Sequence, residues 1–575
     1  KPLRLHKDWT PRDYKKLYRP TPRIKQIIRQ LRVDLENTEI AQRIIGPKNS
    51  GKTRLTYELY KEIDVSLPKH DHLEKILYYD LDGGNYISIE NKLLDLKLKD
   101  QRKIVILDNC SLKIHTKVFN EYFHGTNVSL LSISNDIEGR GGTHYLDEDF
   151  AKEIIEKISN EEGDPRNTNF IVENSKGNLR NAIVMIGKIP EGDKGLSTDY
   201  QIKWQQILGV ELYSSEVLRL LEELSLFTHI GYIDRFQNQS DFIFSQAGIK
   251  TREQFEGIIN KLAENSIVKI TGDFIILEAF VEELAFTRLE RLANEDLEEF
   301  FKKITEKGMS KQFSQRLVEL NKLSGTHQLI EILSRNNGLL SKYEFVSSDQ
   351  GARIVMNLAE IEPEKILISL ENLLNKKTNE DLLKLKKGRR YLVWALERLV
   401  FRKETFYGAA KLLYKLAIAE NENIGNNATA QFNQLFQIHL PGTKASLTER
   451  IELLKELIKE NKSKKNIISK ALDRALMVHG FMRAGGADEP VDIEEIHNYW
   501  KSIIDLIIEL DGYEILVSRI YQQVFSGNAD AIVDAMDIFL IKKKAIDKDL
   551  RQQFEYILND DRKLPEGIED KIQKM

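Results

Sequence analysis

Between an apolar run at residues 40–45 and an amphipathic stretch at residues 52–63, the chain reads Gly46-Pro-Lys-Asn-Ser-Gly-Lys-Thr53. No other feature restricts the fold as much, because this string functions as the turn from a strand into a helix. Gly46 and Gly51 let the backbone close tightly, so that successive amide N–H groups converge on an anion at the positive end of the following helix. Pro47, Lys48, Asn49 and Ser50 form the wall of that loop, Lys52 reaches the outer phosphates, and the Thr53 hydroxyl is placed to ligate Mg²⁺. The spacing predicts a nucleoside-triphosphate site, with ATP, or ADP at rest, as the ligand.

The rest of such a site belongs at the ends of neighbouring strands. Apolar runs at 40–45, 76–81, 104–107 and 128–133 alternate with helix-like stretches, which predicts a parallel sheet covered by helices on both faces. Lys103-Ile-Val-Ile-Leu-Asp108 ends in a carboxylate, so Asp108 is the expected Mg²⁺ partner. The next position, where many ATPases carry a glutamate that polarises water, is Asn109. An amide cannot accept a proton as a base does, so hydrolysis is expected to be slow or driven by another group such as Asp136. The fourth run leads through Ser134 to Asn135 and Asp136, and either Ser134 or Asn135 stands where a γ-phosphate contact would come from. Residues 139–143 (Gly-Arg-Gly-Gly-Thr) read as a mobile connection with Arg140 on a loop.

From Asp147 the pattern turns helical, with an acidic first turn at Asp147, Glu148 and Asp149. A second helix after Lys176-Gly-Asn178 carries Arg180, the candidate lid residue reaching back to the phosphates. Amphipathic helices at 214–227 and 251–264 precede two short strands, 267–270 and 274–277, around a Gly-Asp turn. That is a winged-helix pattern. Its second helix has no excess of basic residues, which favours packing within the chain over DNA. Beyond residue 295 nearly everything is amphipathic helix, including 297–307, 314–323, 364–375, 390–400, 405–420 and 447–459, which suggests a helical-repeat array presenting a surface for another protein. The basic cluster 384–390 reads as a solvated face. Tyr391, Trp394, Phe401, Phe406, Tyr407, Phe432 and Phe436 read as core.

At 575 residues the chain exceeds one hydrophobic core, so roughly two to four domains are expected. A net charge of −4 excludes a molecule that grips nucleic acid over its whole surface. The single cysteine, Cys110, excludes a disulfide framework and a Cys-rich zinc site. No run of eighteen uncharged apolar residues or signal-peptide layout occurs, so the expected location is the cytoplasm, away from membranes.

With phosphate loop, lid, winged helix and helical repeats in this order, the chain resembles the STAND NTPases, signal-transduction ATPases with numerous domains. Local strings bring it towards the bacterial antiviral (Avs-type) members that defend against phage. These are Arg19-Pro-Thr-Pro-Arg-Ile24, Gly51-Lys-Thr-Arg-Leu55 and Leu107-Asp-Asn-Cys110 with His115 downstream. In the helical half they are Tyr391-Leu-Val-Trp-Ala-Leu-Glu397, Ala419-Glu-Asn-Glu422, Asn426-Asn-Ala-Thr429 and Leu440-Pro-Gly-Thr-Lys-Ala445. The resemblance implies an α/β P-loop core of the ASCE, AAA-like kind, a helical lid, a winged helix and an all-α, tetratricopeptide-like sensor. It places Arg23 and Arg54 among the nucleotide contacts, and His229 where some relatives touch the ADP phosphate at rest. Residues 1–38 read as a linker from an N-terminal effector expected before Lys1, 39–145 as the nucleotide-binding domain, 146–205 as the lid, 206–292 as the winged helix and 293–575 as the sensor.

The activity so implied is a switch. A phage protein of terminase or portal type, with ATP and Mg²⁺, would assemble a tetramer and bring effectors together, any nucleic acid being handled by the effector. Two departures stand out: no nuclease-like or sirtuin-like motif occurs, and Gly177-Asn-Leu-Arg180 lacks the proline of many STAND lids. A remodelling ATPase of the AAA type and a STAND transcriptional regulator are the alternatives. Continuity around residues 481–490 reads as shortened.

Overall fold

Four β-branched or leucine-rich runs can be buried on both faces only inside a parallel sheet. A computed structural model of the chain has that sheet. It describes residues 4–5, 19–59, 76–81, 89–99, 101–135, 142–189, 196–197, 199–385, 387–460, 465–479, 492–543 and 548–575. They fall into two compact units, Lys1–Leu224 with Gly231–Val281, and Ser225–Ile230 with Glu282–Met575.

In the first unit the strands are β1 (Arg4–Leu5), β2 (Gln42–Ile45), β3 (Ile76–Asp80), β4 (Lys103–Asp108), β5 (Val128–Ser134) and β6 (Thr143–Tyr145). Their order is β1-β3-β4-β5-β2-β6, with β1 antiparallel to β3 and the other five strands parallel. The alternation of side chains sorts the core into two layers. Ile44, Ile76, Ile104, Ile106, Leu131 and Ile133 face the layer that includes Leu55 of the helix after the phosphate loop. Val105, Leu107, Val128 and Leu130 face the other, with Val118 and Phe123.

Two edges depart from expectation. Within the stretch expected as linker, helix Pro22–Asp34 is capped by the Thr21 side chain and sinks Ile24, Ile28 and Leu31 into the first layer. The segment expected as a mobile connection ends in a strand: Gly142, in the left-handed region at φ 79°, accepts the Arg43 N–H and Thr143 begins β6. Three residues without an apolar run carry no strand signal in the sequence. Residues 136–141, with Asp136 and Arg140, lie outside the described residues, as do 481–490.

Helix Glu148–Glu162 starts where the acidic turn indicates, with Asp147 accepting the Phe150 N–H at 2.8 Å. Helix Leu179–Ile186 is capped by Asn178. Helix Arg252–Glu264 leads into the hairpin of β8 (Val268–Thr271) and β9 (Phe274–Leu277), which turns at Gly272 and Asp273. A two-residue strand, β7 (Ile230–Gly231), completes that small sheet in the order β7-β9-β8. This is the winged-helix arrangement.

In the second unit every regular element described from residue 282 onward is a helix. Helix Ser310–Glu319 packs on Asp349–Ile361, and that on Arg389–Phe401. The partners Ser324–Ser334, Pro363–Leu374 and Lys403–Ile418 stack on one another in the same way. First helices beginning at 310, 349 and 389 give a recurrence of about 40 residues, nearer the longer α-solenoid repeats than the 34 of a tetratricopeptide. The cluster 384–390 is not all solvated. Arg389 is fully buried and donates to the carbonyls of Leu382 and Leu416. Of the expected core aromatics, Phe406, Phe432 and Phe436 are buried, whereas Tyr407 is exposed. No helix among the described residues is long and apolar enough to cross a membrane.

Candidate nucleotide site

In open parallel sheets ligands bind beyond the carboxyl ends of the strands. Gly46 follows the end of β2, Asp108 ends β4, and Ser134, at the end of β5, is in register with Ile45. The loop needs its glycines. A Cβ on Gly46 would lie 2.3 Å from the Leu146 carbonyl oxygen, and Gly51 has φ 95°. Asn49 is also left-handed, at φ 60°, a conformation asparagine tolerates better than most residues.

Lys52 is buried, and its ammonium donates to the carbonyl oxygens of Gly46, at 2.8 Å, and of Pro47. Burial lowers its pKa to about 8, opposed by the attraction of Asp108 and helped by the nearby charge of Lys48. A buried cation folded against neutral carbonyls suits an anion arriving in the loop. Thr53 Oγ1 donates to Asp108 Oδ2 at 2.9 Å, and the Tyr78 hydroxyl donates to the same oxygen at 2.9 Å. Asp108 is held above the usual carboxylate range, first by burial and then by the negative charge of Asp80. A hydroxyl and a buried carboxylate side by side make a donor set that fits a hard dication. Thr53 and Asp108 would hold Mg²⁺, which on binding would offset phosphate charge.

Tyr78 and Asp80 were absent from the sequence-based site. Their only signal is that the second apolar run ends in Tyr-Tyr-Asp, and strand register, not sequence spacing, sets Asp80 opposite Asp108. Asn109, left-handed at φ 54°, donates from its side-chain amide to Asp80 Oδ1 at 2.7 Å, while its backbone N–H donates to Asp108 Oδ1. Residue 109 therefore joins two acids.

The lid and the winged helix reach the loop from the same unit. The Leu179 N–H donates to the Asn49 carbonyl at 3.1 Å, and the Asn49 side chain donates to the Glu278 carbonyl at 3.4 Å. Arg180 is buried and forms an ion pair with Glu278 at 2.6 Å, and Phe280 N–H donates to Asn181 at 2.8 Å. Ser50 is wholly buried and Lys48 exposed. Arg54 pairs with Glu58 one helical turn on. Arg23 pairs with Asp147, the cap of the next helix, and lies over the Phe150 ring. Ser134 is buried and the adjacent Asn135 exposed. His229 belongs to the second unit, where it shares a hydrogen bond with Thr228.

No protein-family profile matches this chain, and no curated protein matches it in sequence. Among solved structures it is similar to the STAND protein with a tetratricopeptide repeat sensor from Pyrococcus horikoshii. Identity is 12% and the TM-score 0.31, over 94% of this chain and 92% of that one. It is also similar to a chain of Drosophila ORC, solved bound to DNA, at 10% identity and a TM-score of 0.23, over 46% of this chain and 85% of the other.

Proposed function

We propose that the chain is a nucleotide-gated switch of the STAND class, in which ATP with Mg²⁺ binds at residues 46–53 and sets the position of the lid and winged helix. The observation that carries this reading is the set of bonds that Asn49 makes. Its carbonyl accepts from the lid helix and its side chain donates to the residue after β9, so the phosphate loop cannot change shape without disturbing both. ATP gains leverage over the rest of the chain only by binding one arrangement better than another, and contacts on the loop wall supply that difference.

In the finer form of this reading, the stacked helices of the second unit recognise a foreign protein, a phage terminase or portal component. ATP and that protein together then drive assembly to a tetramer that activates an N-terminal effector. The Avs-type strings in the sequence support this form. Mixing purified chain with ATP, Mg²⁺ and co-expressed phage proteins should raise the assembled mass, read by light scattering. Lys52→Ala should abolish the shift, and a variant that still assembles removes the role given to the loop.

A steadily working ATPase is the second reading, favoured by the carboxylate of Asp80 beside Asp108. The transcriptional-regulator reading is disfavoured by Arg252, at the start of the second winged-helix helix. Its guanidinium is engaged by Asp241 at 2.8 Å and Glu256 at 3.0 Å and is not displayed to a phosphate backbone.

A further inference from the structure

Two aromatic side chains of the stacked helices keep polar atoms that the chain does not use. Tyr391 and Trp394, on helix Arg389–Phe401, are half-buried. Neither the hydroxyl of the first nor the indole N–H of the second is buried or has a hydrogen-bond partner among the described residues. Elsewhere in the same unit such groups bond within the chain: Tyr499 donates to the Phe436 carbonyl at 2.8 Å and Trp500 to the Ala475 carbonyl at 3.1 Å. We infer that the strip around Tyr391 and Trp394 is a docking surface for an acidic segment of another protein, anchored by Arg390 and Trp394. The inference rests on the reading of the stacked helices as a recognition surface and names the chemistry of the partner.

The aromatic groups are held in place before anything binds. Their ring centroids lie 5.3 Å apart, edge to face, and the Arg353 guanidinium of helix Asp349–Ile361 lies over the Tyr391 ring at 4.1 Å. Arg398 ties the two helices again, donating to the Met356 carbonyl and the Glu360 carboxylate, each at 2.8 Å. Tyrosine, tryptophan and arginine carry much of the binding energy at protein interfaces, and side chains already ordered lose little entropy there.

Charge selects the partner. Arg390 is exposed and has no carboxylate partner among the described residues. The same holds of Lys444, which stands over the Phe401 ring at 5.5 Å at the far end of the helix. Arg402, at that end, donates to the backbone carbonyl of Glu360 at 3.1 Å. Arg353 and Arg398 are balanced by Asp349 and Glu360, so that even with Glu397 the cations outnumber the carboxylates here, on a chain whose net charge is −4. From Arg390 to Arg402 the helix rises roughly 18 Å, the reach of about six residues of extended peptide. Hydroxyl, indole N–H and guanidinium all donate, and carboxylates accept. Glu360 and Glu397, set among the cations, interrupt the line that a phosphate backbone would need, which favours a protein segment over nucleic acid.

The test uses the full chain and three fluorescein-labelled probes, read by anisotropy at low salt. They are a peptide of glutamate and glycine with one central leucine, the same peptide with lysine for glutamate, and oligothymidylate. The glutamate peptide should bind, and its affinity should fall as salt rises. Arg390→Glu should weaken it about tenfold and Trp394→Ala about tenfold or more, while Lys459→Glu, an exposed change on another helix, should leave it within about twofold. Melting temperatures separate these losses from loss of folding. Should Trp394→Ala fail to fold, Arg390→Glu decides, since an exposed side chain without a partner is not needed for folding. Unchanged affinity in Arg390→Glu overturns the inference, as does a lysine peptide or oligothymidylate that binds as tightly as the glutamate peptide. A wild type that binds none of the three overturns it too. The underlying reading fails separately, in the assembly assay with co-expressed phage proteins, which uses no peptide.

Discussion

His115 shows how one side chain can report on burial. It lies under the sheet with Nδ1 2.8 Å from Ser132 Oγ, an oxygen that also accepts from Arg43 at 3.1 Å. Burial and the neighbouring guanidinium lower its pKa to about 4. Below pH 6.5 the unfolded chain takes up a proton that the native protein refuses until about pH 4, so stability falls as pH falls through that window. His115→Gln should remove that dependence, closing a gap of about 2 kcal/mol between pH 7 and pH 5 in urea titrations of the two proteins. Parallel curves would show that His115 titrates normally. At the same scale, Arg389→Met should cost about 3 kcal/mol, because the carbonyls of Leu382 and Leu416 lose their buried donor. If its urea midpoint does not move, Arg389 contributes no more than its stem. The sequence placed this arginine on a solvated face because a run of five basic residues cannot reveal which one points inwards.

Elements meet where single residues are shared between them. The pair Arg180–Glu278 joins the lid helix to the end of β9, and both side chains are largely buried. Removing Glu278 takes a carboxylate from a largely buried guanidinium, so Glu278→Ala should destabilise the contact by about 3 kcal/mol and raise amide exchange along Leu179–Ile186. Unchanged exchange there would mean that the helix is held by other contacts. Most elements were legible from the chain alone. Asp147 and Asn178 announce helix starts, the Gly272-Asp273 turn announces the hairpin, and four apolar runs announce four strands. The strand β6 and the packed helix Pro22–Asp34 were not, since a short edge strand has no core face to pattern and the helix stood in a basic stretch that resembles a linker. The repeat of about 40 residues was equally hidden, because stacked helices conserve which faces meet and not which residues fill them.

For the whole molecule, two compact units imply that ligand should stabilise one of them first. ATP with Mg²⁺ at 100 times its dissociation constant adds about 2.7 kcal/mol to a unit that binds it only when folded. Calorimetry should show one transition rising with nucleotide while the other stays, and Lys52→Ala should show neither rise. Two transitions shifting together would mean that the units unfold as one. By itself the sequence determined the phosphate loop, its Lys52 and Thr53, the carboxylate of Asp108 and the amide at 109, because those depend on residue types at fixed spacing along one strand, turn and helix. Tertiary structure decided what surrounds them. Asp80 meets Asn109 through the register of two strands, and Arg180 meets Glu278 across 98 positions of chain, distances over which local spacing carries no signal.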